Sequence, residues 1–301
     1  MKLLLMGKNG SGKTSMRSIL FAMTSPMECR KLAPTIDVEY IPIKLMENMK
    51  VNLWDCGGQQ NMMLNYFKNR RESIFSQVNA LVYVFDVSTD GDEEVLRDFH
   101  ESLQALGENS SNTKVFCLLH KTDVLIPSER EKILQRKEKE IMAVAELTDL
   151  TCFRTSIWDE SLYRAWGSIL NTLIPQINEI KSKLEEFAKI CGAEEVVLFE
   201  RSTFLLISQW SNEKVTQDDH RFEKIANITK QFKLSCSKAH SQLSSMELVK
   251  SDFSAFFEEF TMNTFIMVIV SAESKLESEM VKMNIRLGRK LFNDSKLHNV
   301  L

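Results

Sequence analysis

The chain has 301 residues, which is enough for two domains with separate hydrophobic cores. Hydrophobic residues make up 44% of it and charged residues 26%, proportions typical of a water-soluble globular protein. The formal net charge of −3 gives no electrostatic reason to expect nucleic acid or an anionic lipid surface as a partner.

The first predicted elements are a strand over residues 2–6, a glycine-rich turn and an amphipathic helix. The turn, GKNGSGKT at residues 7–14, matches the phosphate-binding pattern G-x-x-x-x-G-K-[ST]. Its glycines let backbone amides surround phosphates at the positive end of the helix. We expect Lys13 to reach the β- and γ-phosphates and Thr14 to coordinate magnesium. The alternative is a turn that binds nothing.

Two further segments match a nucleotide switch. Residues 25–38 are predicted to form a loop, in which the hydroxyl of Thr35 could complete a magnesium shell. Strands are predicted over 39–45 and 50–54, with Pro42 placing the first at the sheet edge. The second strand leads into DCGGQ at residues 55–59, a D-x-x-G arrangement. Asp55 is expected to hold magnesium through water, Gly58 to contact the γ-phosphate and Gln59 to orient the attacking water.

Strands predicted over 79–87, 114–119 and 150–154 alternate with helices over 92–107 and 128–146, which favours a parallel sheet with its ligand at the carboxyl ends of the strands. HKTD follows at residues 120–123. The Asp123 carboxylate could accept both edge hydrogens of guanine, which adenine does not offer, and Lys121 could pack under the base and brace the phosphate loop. Ser156 and Ile157 follow the last strand and could contact the other edge of the base.

A second domain is predicted after residue 178, so that the domains are 1–178 and 179–301. The helix that begins near residue 159 is expected to continue past Pro175 towards residue 190. Strands are predicted at 196–199, 204–207, 246–249 and 264–271. Two helices carry apolar stripes, one with Phe222, Ile225, Ile228 and Phe232, the other with Leu276, Met280, Met283, Leu287 and Leu291. Such stripes form either the domain core or a subunit interface.

No membrane-targeting segment is expected. The apolar start is too short for a signal peptide, and the apolar run at 265–270 is too short to span a bilayer. Lysine at position 2 excludes myristoylation, and the last residues hold no cysteine for prenylation. The six cysteines lack zinc or disulfide spacing. We therefore expect a cytoplasmic protein, without direct membrane insertion, that reaches membranes only through partners.

These motifs together resemble those of Ras-superfamily GTPases and, more narrowly, the Rag/Gtr family. The stretches that carry the resemblance are MGKNGSGKTSMRSI (6–19), TIDVE (35–39), NLWDCGGQ (52–59), HKTD (120–123), LFER (198–201) and QFKLSCSK (231–238). They cover nearly the whole chain. Gln59 and His120 resemble the RagA/RagB-like branch rather than the RagC/RagD-like one.

The resemblance implies an α/β fold: a P-loop small-GTPase domain with a mostly parallel sheet, then a smaller α+β roadblock/longin-like dimerisation domain. It implies GTP or GDP and Mg²⁺ as ligands, with Gln59 catalytic and Thr14, Thr35 and, through water, Asp55 at the metal. The residues expected to bind nucleotide are Asn9, Gly10, Ser11, Gly12, Lys13, Thr14, Ser15, Thr35, Gly58, His120, Lys121, Asp123, Ser156 and Ile157.

The partners implied by the resemblance are a RagC/RagD-like GTPase subunit bound through the C-terminal domain, a membrane-bound roadblock-type scaffold complex, the TOR kinase complex and a GTPase-activating protein. The family signals amino-acid sufficiency on the lysosomal or vacuolar surface. Two other classes stay open from the sequence: a vesicle-trafficking GTPase of Arf-like type, and a nucleotide-bound scaffold without useful turnover.

Three positions depart from better-known GTPases. His120 stands where most carry asparagine, and Asn9 stands where Ras has a glycine near the transition state. Gα proteins carry an arginine three residues before the switch threonine, a position that is Leu32 here. Without that arginine, we expect intrinsic hydrolysis on the order of 10⁻⁴ per second, as for unassisted Ras, and acceleration by a separate activating protein.

Overall fold

A computed structural model describes residues 1–46, 49–89, 93–145, 149–174, 177–212, 235, 243–251, 253–274 and 277–293. The predicted helix with Phe222, Ile225, Ile228 and Phe232 lies outside these residues. The chain separates into two compact units, Met1–Ile43 with Lys50–Ala165, and Lys44–Met49 with Trp166–Leu301. The boundary at residue 178 between independently folding domains stays a proposal.

The first unit is built on a six-stranded sheet in the order β2-β3-β1-β4-β5-β6. Its strands are β1 (Lys2–Met6), β2 (Val38–Met46), β3 (Met49–Cys56), β4 (Ala80–Asp86), β5 (Lys114–His120) and β6 (Leu150–Thr155). Strands β3, β1, β4, β5 and β6 run parallel, and β2 with its Pro42 lies at the edge, as predicted. Nearly every residue of β4 is buried, as expected for a central parallel strand.

The helices of the first part of the chain are α1 (Lys13–Phe21), α2 (Gln60–Lys68), α3 (Arg71–Phe75), α4 (Glu93–Asn109), α5 (Pro127–Ala145) and α6 (Ser161–Asn171). Helices α2 to α5 cover one face of the sheet, where their apolar residues form a common core with those of β1, β4 and β5. Tyr83, Phe85 and Phe99 pack there with ring centroids 4.9 to 5.3 Å apart. The predicted α/β class is confirmed.

The predicted helix across Pro175 is wrong. Helix α6 ends at Asn171, and α7 (Ile177–Cys191) begins afterwards. The amides of Leu173 and Ile174 donate to carbonyls three residues earlier, which tightens and ends α6. Proline at 175 disfavours helical backbone at the residue before it, so the chain cannot continue α6 there.

The second unit carries an antiparallel sheet in the order β8-β7-β11-β10-β9. Its strands are β7 (Glu195–Glu200), β8 (Leu206–Ser211), β9 (Ser245–Val249), β10 (Phe253–Thr261) and β11 (Thr264–Ser271). The segment between the strands predicted at 246–249 and 264–271, which is rich in phenylalanine, is itself strand β10. In the turn after β7, the buried Glu200 carboxylate accepts hydrogen bonds from Ser202 and Thr203 over 2.6 to 2.9 Å.

Helices α7 and α8 (Ser278–Asn293) pack against each other within this unit. Gly288 lies so close to Phe187 that an added Cβ would meet its ring at 2.2 Å. The buried face of α8 carries Val281, Ile285 and Phe292. In the predicted stripe, Met280, Met283 and Leu287 face outward, each about half exposed, so these three are not part of the core of this chain. Leu276 and the side chain of Leu291 lie outside the described residues.

No described helix is long and apolar enough to cross a membrane. The observed architecture is an α/β domain with a mostly parallel six-stranded sheet, followed by an α+β domain with a five-stranded antiparallel sheet.

Candidate functional site

Five parallel strands bring the predicted site residues to one edge of the first sheet. Strands β1, β3, β4, β5 and β6 end at Met6, Cys56, Asp86, His120 and Thr155. The phosphate loop follows β1, the D-x-x-G segment follows β3, and the two predicted base-contacting segments follow β5 and β6. Because parallel strands end on the same side, these four segments face one region at the carboxyl edge.

The phosphate loop is held in shape by its own lysine. The side chain of Lys13 is buried, and its Nζ donates to Gly7 O at 2.7 Å and to Lys8 O at 3.0 Å. Burial lowers the pKa of Lys13 to about 8, although Asp55 and Cys56 act to raise it. A desolvated ammonium enclosed by the loop is well suited to phosphate oxygens, which would replace the carbonyls as its partners.

Glycine is required where this loop meets its neighbours. Gly12 has φ of 100°, and an added Cβ would lie 2.6 Å from the His120 ring. At Gly58 an added Cβ would lie 2.2 Å from Gly7 O, and the Asn9 amide donates to Gly58 O at 2.8 Å. The D-x-x-G segment is therefore in direct backbone contact with the phosphate loop, which places Gly58 where a γ-phosphate would be sensed.

Three oxygen-bearing side chains converge beside Lys13. Thr14 Oγ1 lies 2.7 Å from Thr35 Oγ1 and donates to Asp55 Oδ2 at 3.2 Å. Two oxygens bound side by side to an octahedral Mg²⁺ lie about 3 Å apart, close to the spacing of the threonine hydroxyls. Asp55 is fully buried, and among the described residues its Oδ1 has no hydrogen-bond partner. This set of hard oxygen donors fits magnesium, with Asp55 Oδ1 open to a metal-bound water.

The charge of Asp55 depends on its surroundings. Burial raises the pKa of this carboxyl, while Arg17, Lys13 and the hydrogen bond from Thr14 act to lower it. The Arg17 Nε lies 3.4 Å from Asp55 Oδ2, and the same guanidinium pairs with Glu39 at the start of β2. A divalent cation beside this carboxylate would favour its ionised form further.

Gln59 is tied to the loop that contains Thr35. Its Nε2 donates to Thr35 O at 2.9 Å, and the Gly57 amide donates to Asp37 O at 3.0 Å. The Oε1 of Gln59 is buried without a hydrogen-bond partner in the described part of the chain. That oxygen is available to accept a hydrogen bond from a water molecule near the phosphate site.

The segments after β5 and β6 are connected to each other and to the phosphate loop. Lys121 Nζ donates to Gly10 O at 2.8 Å and to Asp86 Oδ2 at 2.5 Å. Asp123 is exposed, and its Oδ1 accepts a 2.5 Å hydrogen bond from the buried Ser156 hydroxyl. Ile157 is half-buried next to Ser156. An exposed carboxylate oriented by a buried hydroxyl can accept hydrogen bonds from the edge of a guanine.

His120 occupies the space between the phosphate loop and β6. Its ring packs against Gly12, and its Nδ1 lies 2.9 Å from Thr155 Oγ1. Burial and then the Lys121 charge lower the pKa of His120 to about 4, so the imidazole is neutral at physiological pH. The Nδ1 side of the ring contacts the neighbouring strand, and the Cδ2–Nε2 edge faces Gly12 of the phosphate loop.

A cavity of about 160 Å³ lies between the phosphate loop and residues 29–35. The predicted nucleotide-binding residues that line it are Asn9, Gly10, Gly12, Lys13, Thr14, Ser15, Thr35 and Gly58. Ser11 does not line it: its hydroxyl is buried without a hydrogen-bond partner among the described residues. His120, Lys121, Asp123, Ser156 and Ile157 lie beyond the cavity, joined to it through Gly10 and Gly12.

Two residues of this site were missed in the sequence. Asp86 ends β4 and anchors Lys121; burial acts to raise its pKa, but hydrogen bonds from Lys121 and Ser88 outweigh it, so the pKa is lowered. Arg17 contacts both Asp55 and Glu39. The position of Asp86 at a strand end could have indicated its place, whereas no local pattern distinguishes Arg17 from a solvent-facing arginine.

Comparison with known proteins decides the family. Residues 2–229 match the family described as the Gtr1/RagA G protein conserved region. The chain belongs to the Gtr1/RagA family. Ras-related GTP-binding protein A of Dictyostelium discoideum is 45% identical over 97% of this chain and 96% of its own length. The GTP-binding protein gtr1 of Schizosaccharomyces pombe is also 45% identical, over 98% of this chain and 96% of its own.

Members of the Gtr1/RagA family are small GTPases, so this chain is a GTP-hydrolysing enzyme whose ligand is a guanine nucleotide. A more distant relative belongs to the other branch: Ras-related GTP-binding protein C of Mus musculus is 29% identical over 66% of this chain and 50% of its own length. The RagA/RagB-like assignment from Gln59 and His120 agrees with these identities.

Proposed function

We propose that this Gtr1/RagA GTPase is a magnesium-dependent switch, which works as the RagA-like half of a heterodimer and signals amino-acid sufficiency to the TOR kinase complex. The observation that carries the switch is the 2.7 Å approach of Thr35 Oγ1 to Thr14 Oγ1 beside Asp55. It brings the loop of Thr35 to the phosphate loop, as a bound triphosphate and metal require.

At the phosphates, Lys13 binds the β- and γ-oxygens, and the amides of residues 9–15, with the Ser11 and Ser15 side chains nearby, enclose the α- and β-groups. Thr14, Thr35 and, through water, Asp55 would hold Mg²⁺, which would supply charge neutralisation at the phosphates. At the base, Asp123 accepts from guanine, Lys121 packs beneath the ring, and Ser156 and Ile157 border its other edge. His120 supports this part through Thr155.

Hydrolysis is slow in this proposal. Gln59 orients the attacking water through its Oε1 while its amide nitrogen is held by Thr35 O. The cavity wall offers Leu32, a residue without charge, at the position from which Gα proteins supply arginine. We therefore expect an intrinsic rate on the order of 10⁻⁴ per second and acceleration by a GTPase-activating protein.

The second unit supports the proposed assembly. Its helix α8 exposes Met280, Met283 and Leu287, and its edge strand β9 exposes Leu248 and Val249. Apolar side chains on a helix face and a sheet edge suit a subunit interface. We propose that this domain binds a RagC/RagD-like subunit and a roadblock-type scaffold complex, which recruits the heterodimer from the cytoplasm to the vacuolar or lysosomal surface.

Co-purification from the native cell tests this proposal, with wild type compared to Gln59→Leu and Thr14→Asn by mass spectrometry. We expect a second, related GTPase with all three forms and TOR-complex subunits enriched with Gln59→Leu. Recovery of vesicle or coat proteins without a partner GTPase would replace the proposal with an Arf-like trafficking role. Identical partners for every form would instead indicate a scaffold whose nucleotide is structural.

A further inference from the structure

Arg70 joins the two segments that a switch must move. It follows α2 directly, and its guanidinium donates to Asp37 Oδ1 at 2.7 Å and to the Tyr40 hydroxyl at 3.2 Å. Asp37 lies two residues after Thr35, and Tyr40 lies in strand β2. One side chain thus bridges the end of α2 to both the loop of Thr35 and the strand that follows it.

The position of Arg70 is fixed by the core. Helix α2 buries Met63, Tyr66 and Phe67 in the core of the first unit. The guanidinium carbon lies 6.0 Å from the centre of the Tyr66 ring, within the range of a cation–π contact. Because α2 is packed in this way, Arg70 is held at the end of α2, beside the loop of Thr35.

The two partners of Arg70 differ in what holds them. Tyr40 is a strand residue whose ring meets Trp54 edge-on, with centroids 4.5 Å apart. Asp37 belongs to the loop, and its carbonyl accepts a hydrogen bond from the Gly57 amide in the same arrangement in which Thr35 is buried beside Thr14. Movement of Thr35 away from Thr14 would carry Asp37 with it and break its bond to Arg70, but it would leave the bond to Tyr40 in place.

We propose that Arg70 is a specificity-determining residue for the nucleotide state, and that it favours GTP over GDP through its ion pair with Asp37. The inference rests on the proposed switch. The γ-phosphate orders the loop of Thr35, so a contact made only by the ordered loop adds to triphosphate affinity alone. With 29% of the Arg70 side chain and 56% of the Asp37 side chain exposed, the pair shifts the preference by about two- to fivefold.

Nucleotide titration of the full-length chain tests the proposal. The affinities of GDP and of a non-hydrolysable GTP analogue are measured at fixed Mg²⁺ for wild type, Arg70→Ala, Asp37→Ala and the double variant. The matched control is Arg71→Ala, because Arg71 has the same exposure, 30%, and pairs at 2.9 Å with Glu108 instead. Thermal unfolding of each variant reports whether it is folded.

We expect the ratio of GDP to analogue dissociation constants to fall two- to fivefold in both single variants, and no further in the double variant. Arg71→Ala and Tyr40→Phe should keep the wild-type ratio. An unchanged ratio in folded Arg70→Ala, an equal fall in Arg71→Ala, or additive effects of the two single substitutions would overturn the inference while leaving the switch intact. Failure of wild type to bind either nucleotide would overturn the proposed function as well.

Discussion

The two units of this chain differ in the feature that each offers to a ligand or a partner. In the first, buried oxygens of Ser11, Asp55 and Gln59 lack hydrogen bonds among the described residues, and they surround the phosphate loop. In the second, apolar side chains are exposed on α8 and β9. Buried polar atoms without partners are costly unless a polar ligand satisfies them, whereas exposed apolar surface is covered by another protein. The first unit carries the site for a guanine nucleotide, and the second exposes the apolar face for which we propose a subunit partner.

Removal of the phosphate-loop charge should have the largest effect, confined to the first unit. Lys13→Met takes away a buried ammonium that would make charge-assisted bonds to two phosphates, so nucleotide affinity should fall about 100-fold or more. A fluorescent guanine nucleotide titrated against both forms measures this. Lys8→Met is the control, because Lys8 is exposed in the same loop. Equal affinity of Lys13→Met and wild type would refute the assignment of the site.

A smaller loss, of GTP hydrolysis, is expected when the D-x-x-G segment is forced away from the phosphate loop. Gly58→Ala would place its Cβ 2.2 Å from Gly7 O, a backbone atom that cannot move aside. We expect single-turnover GTP hydrolysis to fall about tenfold or more, as for other losses of transition-state positioning. Gly107→Ala is the matched control, since an added Cβ there meets no atom within 4 Å. Normal hydrolysis by Gly58→Ala would contradict this geometry.

The neutral imidazole of His120 predicts a pH dependence of stability. Its pKa of about 4 lies below the value of 6.5 expected when unfolded, so the unfolded chain takes up the proton first as pH falls. This group's contribution is complete above pH 6.5 and is lost towards pH 4, with about 2 kcal/mol gone at pH 5.

Denaturant unfolding at pH 7.5 and pH 5 measures that loss. In His120→Asn the contribution of this group is absent, so the fall in unfolding free energy between the two pH values should be smaller by about 2 kcal/mol. Thr155→Val, which removes the hydroxyl near Nδ1 but keeps the histidine, is the control and should retain most of the fall. The same pH dependence in His120→Asn and wild type would exclude His120 as its source.

The last expected effect is of similar size and is confined to the second unit. Gly288→Ala would press a methyl group against the buried Phe187 ring at 2.2 Å, and such overpacking costs about 1 to 3 kcal/mol. Denaturant unfolding should show the loss, while guanine-nucleotide affinity stays unchanged. Reduced nucleotide affinity without reduced stability would contradict the assignment of nucleotide binding to the first unit alone.

The sequence predicts the first unit better than the second for a physical reason. Phosphate, metal and base contacts require particular residues at fixed spacing after a strand, so GKNGSGKT, Asp55 and Asp123 could be located in advance. The outward face of α8 could not, because Met280, Met283 and Leu287 and the buried Val281 and Ile285 are all apolar at helical spacing. Periodicity finds an apolar stripe, but packing decides which stripe is buried.

Ion pairs between residues far apart in the chain could not be predicted from the sequence either. Arg70 lies 33 positions from Asp37, and Lys121 lies 35 positions from Asp86, so no local pattern links them. The break between α6 and α7 was, by contrast, encoded locally in Pro175, and the apolar continuity of the segment hid it. The missed features therefore depend on tertiary contacts, or on a local signal that a stronger periodicity concealed.

The pairing of β5 with β6 distinguishes how the guanine base and the phosphates would be recognised. His120 and Thr155 are register partners in the sheet and are joined at 2.9 Å, and Asp123 and Ser156 follow them immediately. The half of the pocket that would read the base is thus preorganised by the sheet before any ligand arrives. The other half, around the phosphates, also includes residues 32–37, the loop that the γ-phosphate would order in the proposed switch. The guanine base would bind to a preformed site, and GTP would be distinguished from GDP in a later step, when the loop becomes ordered.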